Sequence, residues 1–487
     1  MQRFTVSNLS GYLVTHGRTF REPKEDILFF NWSCDTVEFI FSGTHLNVSF
    51  RAGCGWELEG PPSDPDVPKR ATWPWVAVFL DDNPAPVRKF EVASPNETWL
   101  LHHSPEPQTH RIRLVKLTEN SKTFLGITGF SAEGEFFPVE QMPTKRLEIV
   151  GDSITCGYGN LVKDPNRHFF SADEDAWQAY GPLAARRLGW DCSCVSISGI
   201  TAVRHAGWMG DYAMNELYAY TDRVYQEKLG LAPEPWDFTK APNDVVVLNL
   251  GTNDCFGILF CPEASELERF TGAYLAFLKH VRQLNGPDTY IVCALGTMNY
   301  YLFHDIAVAV DTYKQQTGDA RVSLLRFAPI HPFDGLGADG HPSLDTHAKM
   351  AEQLDQNGGG GDSIGVVISH NDNRHALRYR TGPDTFCCLW DVLNSIGFYV
   401  GRREQFLFCQ AGHLLNGFQD RMIGSPFFPL LHIRSLILYL CYFDGANYTI
   451  QWERRSNPGR VAMFLSNCAE GLVRNIKFVI QYIIILS

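Results

Sequence analysis

Hydrophobic and polar residues alternate with a period of two through much of the first 130 residues. The alternation is clearest over residues 37–41 and again over 46–50, with Ser42-Gly43-Thr44 between the two segments. Because successive side chains of a strand face opposite sides of a sheet, each segment predicts a strand, and the adjoining pair predicts a β-hairpin. Further segments of this kind are Trp75 to Leu80, Val87 to Val92, Arg111 to Leu117 and Phe124 to Phe130. This spacing predicts an all-β sandwich or jelly-roll domain over residues 1–138.

The pattern changes after a predicted linker over residues 139–146. Continuous apolar segments, typical of strands that are buried on both faces, now alternate with segments of helical period. The apolar segments are Arg146 to Val150, Val245 to Leu250, Tyr290 to Leu295 and Val322 to Phe327. Helices are predicted over residues 264–284 and from Asp173 onward, where Gly181-Pro182 should kink or restart the helix. We predict a three-layer α/β domain with a parallel sheet over residues 147–355.

The remaining residues, 356–487, begin with a glycine-rich linker and then show no steady period. Residues 430–443 and 476–486 are apolar, but His432 and Arg434 interrupt the first, and the second is shorter than the roughly 20 residues of a membrane span. We predict no membrane span and assign no fold to this region. A partner-binding segment and an imperfect gene model are both open explanations for it.

Composition excludes several classes of protein. The chain has 487 residues, of which 45% are hydrophobic, enough to build sizeable cores, so wholesale disorder is excluded. The formal net charge of −12 leaves no basic surface for nucleic acid, and we expect none as a partner. The 13 cysteines include no C-x-x-C pair, so neither a disulfide framework nor a zinc ribbon is indicated.

The sequence does not determine the cellular compartment of the protein. Polar residues such as Arg3, His16 and Arg18 interrupt the first twenty positions, so no signal peptide is visible and a cytoplasmic protein is the default expectation. Four Asn-X-Ser/Thr sequences lie within the first hundred residues. A secreted protein whose N-terminus is incomplete is therefore the alternative.

Three polar segments of the α/β region are candidates for chemistry: Gly151 to Thr155, Gly251 to Asp254 and Asp339 to Ser343. The first two directly follow predicted strands, and loops at the carboxyl ends of parallel strands line the ligand crevice of such sheets. Each segment alone is an ordinary turn or helix cap. Their joint occurrence in this order favours one functional site.

The residue types of these segments suit acyl transfer. A serine hydroxyl is a weak nucleophile until a base takes its proton, and Ser153 with His341 would form that pair. The carbonyl oxygen of the attacked ester gains negative charge and needs preorganised donors. The side-chain amide of Asn253 and the backbone N–H groups of Ser153 and Gly199 would supply three.

These motifs resemble the SGNH (GDSL-type) hydrolases, in which Ser153, Gly199, Asn253 and His341 match the four residues that name the superfamily. The chain is most similar to carbohydrate esterase family two, which also has an N-terminal jelly roll and opens with a phrase like Gly17-Arg18-Thr19-Phe20. Further similar phrases, in order, are Gly151 to Asn160, Asp175 to Trp177, Glu216 to Tyr218, Val245 to Asp254 and Gly337 to Ser343. The resemblance covers residues 10–355.

The resemblance implies a serine esterase that removes O-acetyl groups from polysaccharides of the xylan and glucomannan type, without metal or cofactor. Most SGNH enzymes carry the triad acid three residues before the histidine, where this chain has Ala338. Asp339 is where family two places its acid, while other members of that family use a backbone carbonyl. Asp334 is a competing candidate.

Aromatic side chains near the motifs are candidates for sugar binding, because aromatic faces commonly hold sugar rings. We predict that Trp208 and Tyr158 contact the substrate, and that Trp177 belongs to the core. Cys156 lies three residues after Ser153, but no cationic group near it in sequence suggests a reactive thiol, so we predict a small buried residue.

Two other functions remain open from the sequence. A lipid or small-ester hydrolase would use the same motifs, because the motifs determine the reaction and not the alcohol. A catalytically inactive carbohydrate-binding protein would use the jelly roll and leave the second domain without chemistry.

Overall fold

The computed structural model describes residues 1–60, 66–140, 142–205, 210–260, 264–355, 449–454 and 461–466. The chain forms two compact units, Met1–Tyr399 and Val400–Ser487. The first unit contains both predicted domains. Trp208, the glycine-rich linker and the apolar stretches at 430–443 and 476–486 lie outside the described residues.

The N-terminal domain is built on one nine-stranded antiparallel sheet, which confirms the all-β prediction. Its strands are β1 (Gln2–Phe4), β2 (Val14–His16), β3 (Phe20–Glu22), β4 (Ile27–Phe29), β5 (Thr36–Gly53), β8 (Trp75–Leu80), β9 (Arg88–Glu91), β10 (Asn96–Lys116) and β11 (Phe124–Phe137). A small separate hairpin joins β6 (Gly55–Leu58) to β7 (Lys69–Thr72). The main path through the sheet is β3-β4-β11-β5-β10-β8-β9.

The predicted hairpin at Ser42-Gly43-Thr44 is wrong, because β5 runs through this segment as one long strand between β10 and β11. The buried positions change phase here, from Val37 and Phe39 to Leu46 and Val48, and the pairing shifts register in both neighbouring strands. A Cβ on Gly43 would lie 2.2 Å from a backbone oxygen of β11, so only glycine fits. The change of phase marks an irregularity in the strand rather than a turn.

The second domain has a parallel sheet, as predicted, with five strands in the order β13-β12-β14-β15-β16, of which β13 was not predicted. These are β12 (Arg146–Gly151), β13 (Asp191–Ser196), β14 (Val245–Asn249), β15 (Tyr290–Leu295) and β16 (Val322–Arg326). The helices are α1 (Ser153–Cys156), α2 (Tyr180–Leu188), α3 (Met214–Leu217), α4 (Arg223–Lys228), α5 (Thr252–Phe260), α6 (Ala264–Asn285), α7 (Phe303–Thr317) and α8 (Leu344–Asp355). Apolar clusters on both faces of the sheet give the three layers.

The helix predicted from Asp173 onward begins later than expected. A single 3₁₀ turn covers Ala176–Gln178, and α2 then starts at Tyr180. Pro182 lies in the first turn of α2, where its missing N–H has no helical acceptor to lose. Gly181-Pro182 therefore restarts the helix, which was one of the two predicted outcomes.

The two domains share an apolar core. Ala77 and Phe79 of β8 pack in one cluster with Leu147 and Ile149 of β12. The ring of Trp177 lies 4.8 Å from that of Phe79, so Trp177 is a core residue as predicted. The N-terminal sheet thus packs directly against the parallel sheet of the second domain.

In the second unit, the described residues form β17 (Thr449–Arg454) and β18 (Val461–Ser466), an antiparallel pair. Among the helices that the structure describes, none is long and apolar enough to span a bilayer.

Candidate active site

Ser153 lies just beyond the carboxyl end of β12, the strand that pairs with β13 on one side and β14 on the other. The strand ends at Gly151, where a Cβ would lie 2.0 Å from the Thr155 hydroxyl. Asp152 follows, and its carboxylate accepts a 3.0 Å hydrogen bond from the N–H of Ile154. This cap starts the one-turn helix α1 at Ser153, so the hydroxyl is held where the chain turns sharply away from the sheet.

His341 meets Ser153 from the loop between β16 and α8. Its Nε2 lies 2.9 Å from the Ser153 Oγ, although 188 positions separate the two residues in sequence. The loop is closed on itself, because the N–H of Gly337 donates to the carbonyl of His341 at 2.7 Å. The structure therefore brings the predicted nucleophile and base into direct hydrogen-bond contact.

The electrostatic surroundings keep His341 neutral. Desolvation lowers the pKa of His341 to about 4, against the opposing effect of the Asp339 charge and of the backbone carbonyls of Ala338 and Asp339. A neutral imidazole has a free lone pair for the serine proton. Its Nδ1 is buried and has no hydrogen bond of good geometry among the described residues, although the carbonyls of Ala338 and Asp339 lie near enough to raise the pKa of the ring.

The carboxylate of Asp339 is directed to groups beside His341. It accepts hydrogen bonds of 3.1 Å from both the Tyr158 hydroxyl and the N–H of Phe169, and His168 Nδ1 lies 3.3 Å from the same oxygen. Its backbone has φ of 48°, a conformation that few non-glycine residues adopt. The role of Asp339 as third catalytic residue stays a prediction. The competing Asp334 forms a 2.5 Å ion pair with Lys349.

Tyr158 is packed between two rings. Its ring centre lies 3.6 Å from that of Phe169, nearly parallel, and 4.2 Å from that of His341. Two rings this close cannot share one face, so both faces of Tyr158 are covered. The predicted contact of Tyr158 with substrate stays a prediction, and the observed contact is with His341.

The two strands beside β12 carry the other motif residues. The loop after β13 contains Gly199, whose φ of 81° favours glycine. A Cβ added to Gly199 would have no heavy atom within 4 Å, so the space beside this residue is open. Asn253 follows β14 as the second residue of α5, and its amide donates to the carbonyl of Ile200 at 2.9 Å. An amide has two N–H donors, so the second stays available for another acceptor.

Further contacts fix these loops. The N–H of Ile197 donates to the carbonyl of Gly151. The buried carboxylate of Asp254 accepts from the N–H groups of Ala202, at 2.8 Å, and Val203, at 3.3 Å. The loops after β12, β13 and β14 are thus tied to one another.

Sequence reasoning missed residues that the N-terminal domain brings to this site. Glu119 accepts a hydrogen bond from the loop that carries Gly199, and the Lys122 ammonium lies 4.0 Å from the centre of the Phe169 ring. The only signal in the sequence is a polar run directly after a predicted strand. Phe333, which is 92% exposed on the His341 loop, was also missed. Cys156 is buried, as predicted, beside the Ser196 hydroxyl.

Metal binding finds no support in the described residues. No group of three or more His, Cys, Asp or Glu side chains within them has the arrangement to hold a metal ion.

Known families match both domains. Residues 149–349 match the GDSL-like lipase/acylhydrolase family, and residues 15–139 match the carbohydrate esterase 2 N-terminal domain. A cellulase/esterase, CelE, of Acetivibrio thermocellus is 29% identical over 328 residues, which are 66% of this chain and 36% of that protein. The chain thus spans about a third of the length of this relative. An acetylxylan esterase / glucomannan deacetylase of Cellvibrio japonicus is 27% identical over 58% of this chain and 74% of its own length.

Solved structures share the two-domain fold. A family two carbohydrate esterase from Clostridium thermocellum, solved in complex with cellohexaose, has a TM-score of 0.60 and 27% identity over 71% of this chain and 97% of its own. An acetyl xylan esterase from the rumen bacterium Butyrivibrio proteoclasticus has a TM-score of 0.63 and 22% identity over 73% of this chain and 98% of its own. The second likeness shows the fold alone.

Proposed function

This chain belongs to the GDSL-type (SGNH) hydrolases of carbohydrate esterase family 2, and from that premise we propose that it is a serine esterase that removes O-acetyl groups from carbohydrates. The observation that carries the proposal is the 2.9 Å contact between the Ser153 hydroxyl and a neutral His341. Nucleophile and base are thus already aligned without substrate.

The reaction follows from this contact. The Ser153 oxygen attacks the acetyl carbon while its proton passes to Nε2 of His341, and a tetrahedral oxyanion forms. The C–O bond to the sugar breaks, and the sugar oxygen takes the proton from the imidazolium. Water then attacks the acetyl-enzyme with His341 again as base, which releases acetate and restores the Ser153 hydroxyl.

Three donors would stabilise the oxyanion: the backbone N–H groups of Ser153 and Gly199 and the second N–H of the Asn253 amide. The positive φ of Gly199 and the bond from Asn253 to the next residue, Ile200, support this assignment. The negative charge of Asp339 favours the imidazolium that forms during attack. We propose that Asp339 acts as third residue through this charge and through its hydrogen bond to Tyr158, whose ring supports His341.

The substrate class is proposed from the relatives. Two of them are named acetylxylan esterase / glucomannan deacetylase, and another binds cellohexaose. An acetylated β-linked polysaccharide is therefore the proposed substrate. Phe333 offers an exposed aromatic face on the same loop as His341 and is proposed to contact the polymer, with Trp208 as a second aromatic candidate.

Acetate release tests the proposal. The intact chain and its Ser153→Ala variant are compared on acetylated xylan, acetylated glucomannan and 4-nitrophenyl acetate. Ser323→Ala is a matched control, because Ser323 is a buried serine of β16 whose hydroxyl has no hydrogen-bond partner within the described residues. We expect Ser153→Ala to lose at least about 10³-fold in kcat and Ser323→Ala to retain it.

The same assay separates the alternatives. Equal release by the intact chain and Ser153→Ala would exclude the serine esterase, and glycan affinity without any release would favour a binding protein. Faster cleavage of long-chain acyl esters than of acetylated polymers would favour a lipid or small-ester hydrolase on this scaffold.

A further inference from the structure

The loop between β10 and β11 extends from the N-terminal domain to the active site of the second domain. The carbonyl of Leu117 accepts a hydrogen bond from the N–H of Ala176, so the start of the loop is tied to the catalytic domain. The Lys116 ammonium and the Thr123 hydroxyl both donate to the carbonyl of Glu119. The backbone of Glu119 is therefore fixed at a fully buried position.

The side chain of Glu119 binds the loop that carries Gly199. Its Oε2 accepts a hydrogen bond of 2.7 Å from the backbone N–H of Ser198, the residue directly before Gly199. The neighbouring contacts of this loop come from the catalytic domain, through Ile197 on Gly151 and Asn253 on Ile200. The N–H of Ser198, in contrast, donates to a residue of the N-terminal domain, Glu119.

Charges around Glu119 suit this contact. The Lys122 ammonium lies 3.5 Å from its other carboxylate oxygen. The nearby Glu174 accepts from the Glu119 N–H at 3.3 Å, and burial together with the Glu119 charge raises the pKa of Glu174 far above its usual range. A hydrogen bond to an ionised acceptor is stronger than one between neutral groups.

Lys122 links the same loop to the catalytic base. Its ammonium lies over the ring of Phe169, which stacks on Tyr158, and Tyr158 contacts His341. One short loop of the N-terminal domain thus reaches the structure on both sides of Ser153, through Glu119 to the Gly199 loop and through Lys122 to the rings beside His341.

We propose that Glu119 is a positioning residue for the esterase reaction, which aligns the Gly199 N–H for the oxyanion by holding the N–H of Ser198. The inference rests on the proposed function of the site. It makes the N-terminal domain a working part of the catalytic centre, because removal of one acceptor in that domain would loosen an oxyanion donor in the other.

Two variants of Glu119 separate the effect of side-chain length from the effect of negative charge. Glu119→Gln keeps an oxygen at the same distance and loses the charge, whereas Glu119→Asp keeps the charge and withdraws the oxygen by one methylene group. We expect Glu119→Gln to retain kcat within about 3-fold and Glu119→Asp to lose about 10- to 100-fold, less than the loss of an oxyanion donor itself. KM should change less than about 3-fold in both, because substrate binding precedes the development of charge.

Asn31→Ala is the matched control. Asn31 is also a buried polar residue of the N-terminal domain, and its amide donates to Asp222 of the catalytic domain at 2.7 Å. Asp222 caps α4 and also accepts a 3.3 Å hydrogen bond from Asn120, the neighbour of Glu119, but the described contacts join it to none of the segments that carry Ser153, Gly199 or His341. The control therefore disturbs the same loop without removing the bond to Ser198. If loosened domain packing alone lowers kcat, Asn31→Ala will lower it as much as Glu119→Asp, and the proposal is overturned.

Hydrogen exchange of the backbone provides a readout that does not depend on activity. Peptides that cover residues 197–201 should exchange faster in Glu119→Asp than in the intact chain, Glu119→Gln or Asn31→Ala. Unchanged exchange, or a smaller loss of kcat in Glu119→Asp than in Glu119→Gln, would refute the positioning role. An intact chain without Ser153-dependent acetate release would refute the proposed function instead, and the exchange data would still decide whether Glu119 holds the loop.

Discussion

The ring of Tyr158 packs against the imidazole of His341, with the two ring centres 4.2 Å apart. The Tyr158 hydroxyl donates to the Asp339 carboxylate at 3.1 Å, and the charge of Asp339 acts on His341 from there. Burial and the Asp339 charge raise the pKa of Tyr158, so its hydroxyl stays a donor at any pH that the enzyme meets. Asp339, Tyr158 and His341 therefore form one connected unit, in which Tyr158 links the Asp339 carboxylate to the imidazole.

Removal of the hydroxyl tests this unit. Tyr158→Phe keeps the ring beside His341 and loses one hydrogen bond, which is worth about 1 kcal/mol, so we expect kcat to fall about 3- to 10-fold. Tyr158→Ala also removes the ring that packs against His341, so its kcat should be at least tenfold lower than that of Tyr158→Phe. Steady-state kinetics on 4-nitrophenyl acetate measures both, and a larger loss in Tyr158→Phe than in Tyr158→Ala would contradict the role of the ring.

The pH profile should show an acid limb near pH 4. His341 must be neutral to accept the Ser153 proton, and its pKa is lowered to about 4, so kcat/KM should stay high down to that pH and fall below it. The Asp339 charge raises the pKa of His341, so Asp339→Asn should move the limb to lower pH. Kinetics between pH 3 and 8, with folding checked by circular dichroism at each pH, gives the limb. A limb near the ordinary histidine value of about 6.5 would contradict the desolvated environment.

The sequence was sufficient to predict that Ser153 and His341 meet, because the polar segments that contain them occur together, in order, in a parallel α/β pattern and resemble the motifs of one family. The local context of either residue alone is that of an ordinary turn or helix cap. The sequence was not sufficient for the direction of the Asp339 side chain, since the positive φ of that residue turns its carboxylate toward Tyr158 and Phe169. Contacts between domains were also out of reach. Glu119 and Ser198 meet only because two separate sheets pack together, and no periodicity records that packing.

The Asn253 amide should account for much of the oxyanion stabilisation. We expect Asn253→Ala to lower kcat by about 10²- to 10³-fold with little change in KM, because the donor acts on charge that develops only during attack. The substitution also removes the bond to Ile200, so thermal unfolding of the variant must be compared with that of the intact chain. A folded variant with unchanged kcat would exclude Asn253 from the oxyanion site.

The buried pair of Arg18 and Glu148 should dominate the attachment of the two domains. Arg18 donates to both Glu148 oxygens, at 3.0 and 3.1 Å, and both side chains are fully buried. Burial alone would raise the pKa of Glu148, but the Arg18 charge outweighs this effect and lowers it. Arg18→Met leaves an unpaired buried carboxylate and should cost about 3 to 5 kcal/mol in the free energy of unfolding.

Urea unfolding of the intact chain measures this cost. The control is Arg223→Met, which breaks a partly exposed pair with Glu227 within α4 and should cost less than about 1 kcal/mol. Similar costs for the two variants would show that the Arg18 pair has no special weight in the fold.

His16 should make the stability of the domain interface depend on pH. Its ring lies between Asp191 of β13, at 2.7 Å, and Glu38 of β5, at 3.0 Å. Desolvation alone would lower the pKa of His16, but the hydrogen bonds to Asp191 and Glu38 outweigh it and raise the pKa to about 9. Since the folded value lies above the unfolded value of about 6.5, the stabilisation is fully present below pH 6.5 and is lost as pH rises through 9.

The expected contribution is roughly 3 kcal/mol at pH 6 and little at pH 9.5. Urea unfolding of the intact chain and of His16→Gln, at several pH values between about 6 and 9.5, measures this contribution. The difference between the two urea midpoints should shrink as the pH rises. His304→Gln serves as control, because His304 is exposed on α7 and its loss should leave the pH dependence unchanged. A constant difference between the intact chain and His16→Gln would mean that His16 is held by packing and shape, with no contribution from its charge.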